Sequence, residues 1–187
     1  MIGVTTVDAQ SGPSKEEYRV YDAVIHEMVS GKKLRFTTSD KVELLVIKDR
    51  TVTNFEKAGQ LENWDRVRQR LPGVTDQLIE DYNSKPKEKD KLTRNFDPAL
   101  KYVLLPVENL EKLVIGGPQA WEKFYEQYPS SGGFIGFSRV GFSKYETHAL
   151  VYVEYWCRSL CGEGTYVLLR KEGEAWVVEE TNMVWIS

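Results

Sequence analysis

An α+β protein, with helices packed on a C-terminal antiparallel β-meander, is predicted from three observations. Over residues 134–187, apolar and polar side chains alternate in strand-length runs punctuated by turn residues. Most of the aromatic residues lie between positions 121 and 185, where half-buried pleated surfaces would place the main core. The amino-terminal part instead repeats its apolar residues at helical spacing. No internal repeat or low-complexity linker interrupts the chain. Residues 14–187 are therefore expected to form one domain behind a flexible tail of residues 1–13.

The elements follow in order. Ser14 is a cap for a first helix, and Glu16 and Glu17 suit the positive end of its dipole. Tyr18, Tyr21, Ile25 and Met28 make its apolar stripe, and Gly31 closes it. Residues 34–38 and 42–48 read as strands joined by Ser39-Asp40, the second apolar enough to be buried on both faces. Residues 55–83 have a helical pattern broken at Leu71-Pro72-Gly73, with Thr75 or Asp76 restarting it. The Lys-rich run 85–91 is a solvated loop, its acids interleaved with its bases. A short strand over 101–105 ends at Pro106 and a short helix follows over 108–113. Gly116-Gly117-Pro118 then opens a helix with Trp121, Phe124, Tyr125 and Tyr128 on one face, stopped by Pro129 and the residues up to Gly133.

Strand 148–157 shows the two-residue period. Ala149, Val151, Val153, Tyr155 and Cys157 share the face expected to meet the core; His148, Leu150, Tyr152, Glu154 and Trp156 share the other. Residues 165–170 return antiparallel, with Gly162 and Gly164 read as a hairpin turn before them. Residues 176–186 form the last strand, with a bulge expected near Glu179-Glu180, where alternation slips.

Composition narrows the function classes. The chain has 187 residues, 41% hydrophobic and 28% charged, with a formal net charge of -3. No global positive field recruits nucleic acid, and no apolar run approaches the ~20 residues of a membrane helix. Val7-Asp8-Ala9 before Gln10 fits signal-peptidase spacing, although no basic and apolar leader precedes it here.

Cys157 and Cys161 bracket a turn. Fully extended, that spacing would hold them about 13 Å apart, too far to bridge, so the chain must fold back between them. A structural disulfide is the leading reading, ahead of free thiols and a redox-active pair. His26 and His148 have no metal-ligand spacing to these cysteines, so no metal is expected. Tyr152, Glu154 and Trp156, with Arg139 from the preceding strand, are the candidates for a pocket between helix and curved sheet. The competing reading packs Tyr152 and Trp156 under a helix and leaves Glu154 at a solvated edge. Hydrolase, zinc-protease and phosphate-loop signatures are absent from the sequence.

Several motifs together resemble a known group. They are Glu17-Tyr-Arg-Val-Tyr21, Val46-Ile-Lys-Asp-Arg-Thr51, Asp81-Tyr-Asn-Ser84, Lys101-Tyr-Val-Leu-Leu105 and Tyr128-Pro-Ser-Ser-Gly132. Phe137-Ser-Arg-Val-Gly-Phe142, Leu160-Cys-Gly162, Tyr166-Val-Leu-Leu169 and Trp185-Ile-Ser187 complete the set. The chain resembles a bacterial family of uncharacterised proteins, often made with a signal peptide, along nearly its whole length after residue 14. The resemblance implies an exported single-domain protein and no catalytic residues or cofactor; without an upstream signal peptide the location would be cytoplasmic. The expected function is non-enzymatic binding of a small ligand or a protein partner. The alternatives are an enzyme with a Tyr/Glu/Arg acid–base pocket and a module that inserts the Arg158-Ser-Leu160 tip into a partner.

Overall fold

The computed structural model describes residues 12–31, 33–34, 42–53, 63–85, 90–114, 117–158 and 160–187. Among them are five helices and a seven-stranded mixed sheet. The strand at 34–38 and its Ser39-Asp40 turn fall largely outside the described residues, as do 55–62 of the helical stretch and 86–89 of the Lys-rich loop.

The first helix, α1 (Lys15–Ser30), begins where the sequence places it. The Ser14 hydroxyl accepts from the Glu17 amide at 3.2 Å, and the Glu17 carboxylate accepts from the Ser14 amide at 2.8 Å. Two amides that the helix itself cannot satisfy are thereby paired. Gly31 closes the helix in the left-handed region at φ 67°, and its N–H donates to the Glu27 carbonyl.

Strand β1 (Leu44–Lys48) follows, then α2 (Trp64–Arg70), α3 (Asp76–Ser84), β2 (Tyr102–Leu105), α4 (Val107–Val114) and α5 (Gly117–Gln127). Thr75 caps α3, and Leu71-Pro72-Gly73 makes the break between α2 and α3. The remaining strands are β3 (Ser131–Phe137), β4 (Gly141–Phe142), β5 (His148–Arg158), β6 (Cys161–Glu172) and β7 (Ala175–Ile186).

The sheet runs β2-β1-β3-β5-β6-β7, with β4 beside β5. Strand β1 pairs in parallel with both β2 and β3, and the other pairs are antiparallel. Parallel neighbours need long crossovers, which here carry α2 and α3, then α4 and α5. Parallel strands are usually covered on both faces, and the apolar run in β1 matches that: Leu45, Val46 and Ile47 are all buried.

Helices cover both sides of the sheet. On one face α1 packs Tyr18, Tyr21, Val24 and Ile25 against Ala149, Val151, Val153, Val167 and Leu169, joined by Phe96 and Phe137. On the other, Val67, Leu71, Val74 and Leu78 lie over Leu150, Tyr152, Tyr166 and Leu168. Beside them, Leu110, Trp121 and Phe124 lie over Val46, Phe134 and Trp156. The two faces of β5 thus divide as its alternation predicts, and the second meets helices.

Two details of the ladder bear on the site. The β6–β7 register shifts between Leu168 and Leu169, whose partners are Glu180 and Val178, so Glu179 is the extra residue of the expected bulge. Gly162 and Gly164 are not in a turn. They are ladder residues of β6, paired with Trp156 and Glu154, and the turn lies closer to the cysteines. At Gly164 a Cβ would collide with the Trp185 indole nitrogen and the Tyr152 hydroxyl, so glycine is what lets those aromatics lie on the sheet.

Candidate functional site at the disulfide end of the sheet

The four residues expected to line a pocket divide between two places. Glu154, on β5, forms an ion pair with Lys48 of β1, the two side chains being 12% and 17% exposed. The Lys48 ammonium also lies 5.5 Å from the centroid of the Phe134 ring. Tyr152 accepts a hydrogen bond at 2.6 Å from the Trp185 indole N–H. Trp156 lies 5.1 Å, centroid to centroid, from Trp185 and stacks on Phe134 at 6.4 Å. Tyr152 and Trp156 are therefore packed under helical cover, and Glu154 is a paired, nearly enclosed carboxylate rather than a solvated edge group.

Arg139 is engaged elsewhere. Its Nε and Nη2 donate to the buried Glu17 carboxylate at 2.7 and 3.0 Å, and its Nη1 donates to Asp90. Glu17 accepts from the Val140 amide as well, at 3.0 Å. Burial works against the guanidinium charge, but the Glu17 and Asp90 carboxylates outweigh it and raise the proton affinity of Arg139 above its ordinary value. The fork is a clamp between α1 and the β3–β4 turn.

Cys157 and Cys161 are joined by a disulfide, with Cα atoms 5.2 Å apart. The Tyr125 hydroxyl of α5 donates to the Cys157 carbonyl at 2.7 Å, so the turn is tied to the helical layer as well as closed on itself. Among the described residues no group of three or more His, Cys, Asp or Glu could hold a metal ion, and no described helix is long and apolar enough to cross a membrane.

The turn leads to a surface that periodicity did not single out. Of the large apolar residues left exposed, Leu160 (87%), Met183 (51%), Val184 (39%) and Ile186 (73%) share the end of the sheet closed by the disulfide. They are brought together by register: Glu163 pairs with Ile186, Thr165 with Met183, and Gly162 exchanges backbone hydrogen bonds with Ser187. A second register shift, between Gly164 and Thr165, leaves Val184 as an extra residue, and the neighbouring Met183 and Val184 are both exposed. Strand β7 ends the strand order, so its outer backbone has no neighbouring strand among the described residues.

Glu163 and Thr165 lie on the same face as Met183 and Ile186. Glu163 is half-buried, and burial raises its carboxyl above the ordinary range. The Thr165 hydroxyl is buried and has no hydrogen-bond partner among the described residues. The sequence signal for this surface was present in the unbroken Met183-Val184-Trp185-Ile186 run of a terminal strand, but only the sheet order shows which strand is the rim. No family model, curated protein or solved structure matches the chain.

Proposed function

We propose that this is a non-enzymatic, exported bacterial protein of the family its motifs resemble, and that it binds a protein partner by adding an extended segment of that partner to β7. In this reading residues 14–187 act as one domain and its C-terminal meander presents β7 at the rim. One observation carries it: the gathering of Leu160, Met183, Val184 and Ile186, at a disulfide-closed turn, on an end strand with no neighbouring strand beyond it among the described residues. Clustered exposed apolar residues mark interaction surfaces, and an unpaired edge offers main-chain donors and acceptors to an incoming strand. The acid–base alternative is less favoured because Glu154 is spent on Lys48, and the Tyr152 hydroxyl accepts from Trp185.

The test is a titration of ¹⁵N-labelled protein with extended peptides alternating valine and threonine. Amide shifts are expected at Leu160 and over residues 181–187. Met183→Lys combined with Ile186→Lys should abolish them while moving stability by less than about 0.5 kcal/mol, since both side chains are at the surface. Shifts confined to Tyr152, Glu154 and Trp156 on titration with small sugars would overturn the reading in favour of a small ligand.

A further inference from the structure

We propose that the partner segment carries a lysine or arginine that reaches across Ile186 to Glu163; this rests on the edge-binding reading above and specifies its partner. Three observations support the assignment. Glu163 sits on the same sheet face as Ile186 and Met183 and has no ion-pair or hydrogen-bond partner among the described residues. Two positions along the same strand and face, the Thr165 hydroxyl is buried at 4% exposure and also lacks a partner. The charged residues of β7 itself are Glu179 and Glu180, with no base among its twelve positions.

A half-buried carboxylate and a buried hydroxyl, both on the strand next to an apolar rim and unpaired among the described residues, form an acceptor site waiting for a donor. A cation satisfies it best, because a charge-assisted hydrogen bond restores what Glu163 loses by leaving water. The geometry allows it. A strand added beside β7 lies two strand spacings, roughly 10 Å, from β6, a gap that an extended basic side chain and a glutamate can close together. The flanking residues of the segment would be apolar to cover Met183, Val184 and Ile186. A second copy of β7 fits less well, since its only charges are acidic.

The experiment compares three peptides of the alternating valine–threonine type, with a central lysine, norleucine or glutamate, by calorimetric titration of the full chain. The lysine peptide is expected to bind about tenfold more tightly than the norleucine peptide, and the glutamate peptide more weakly than either. Glu163→Gln should erase the preference for lysine while keeping the affinity for norleucine, its fold checked by circular dichroism. Equal binding of lysine and norleucine peptides by the parent protein would overturn the Glu163 pairing and leave the edge reading standing. Failure of all three peptides to bind would overturn both. Concentration-dependent dimerisation through β7, seen by sedimentation and abolished by Met183→Lys, would replace the foreign strand with a second copy.

Discussion

Glu163 is held at a cost that its fold does not repay. Burial raises its carboxyl above the ordinary value of 4.5, so the folded chain holds that proton more tightly than the unfolded chain does. Its contribution to stability is therefore whole below about pH 4.5 and is lost as pH rises through the raised value. Glu163→Gln keeps the shape and removes the charge. The variant is expected to show a higher urea midpoint than the parent at neutral pH, and the two midpoints should coincide near pH 3. An offset of the same size at both pH values would show that desolvation of the charge is not its origin. Residues retained against stability are concentrated at functional surfaces, which is why this one anchors the proposed partner contact.

The β5–β6 hairpin shows how an element can be legible in part. Its alternation places two rows of side chains on opposite faces of β5, and that division is what the packing displays. The Cys-x-x-x-Cys spacing required a chain reversal, and the disulfide closes one. A turn and a crowded strand both select for the missing Cβ, so Gly162 and Gly164 read as a turn from the sequence; at Gly164 the crowding comes from Trp185, twenty-one positions further along. For so short a loop the chain-entropy contribution of the disulfide is about 2 kcal/mol. Replacing both cysteines by serine should lower the unfolding free energy by about that amount, measured in urea. It should also blunt the tip, so that the strand peptides bind more weakly though they still bind. An unchanged unfolding midpoint would mean that the hairpin and the Tyr125 contact hold the turn without the bridge.

Across the molecule, the Glu17–Arg139–Asp90 cluster joins segments that are far apart in the chain. It ties the start of α1 to the β3–β4 turn and to the segment before β2, with Glu17 almost wholly enclosed. Arg139, expected from the preceding strand to partner Glu154 in a pocket, instead turns its guanidinium toward α1, where two carboxylates await it. Removing one partner of such a buried pair leaves an uncompensated charge. Arg139→Ala is expected to cost about 3 kcal/mol, at the lower end for buried pairs because Glu17 keeps its backbone donors. A loss under about 1 kcal/mol, the range of surface pairs, would show that the clamp is not a stability element.

The amino-acid order by itself determined the local features: the capped α1, the break between α2 and α3, the two faces of β5, the bulge at Glu179 and the reach of the cysteines toward one another. Each depends on residues within a few positions, whose periodicity and backbone preferences are readable along the chain. The tertiary structure alone decided that β1 runs parallel between β2 and β3, that Lys48 meets Glu154, that Arg139 meets Glu17, and that β7 ends the strand order. Those outcomes depend on which distant segments become neighbours once both faces of the sheet are covered, and side-chain spacing along one strand carries no record of the strand beside it.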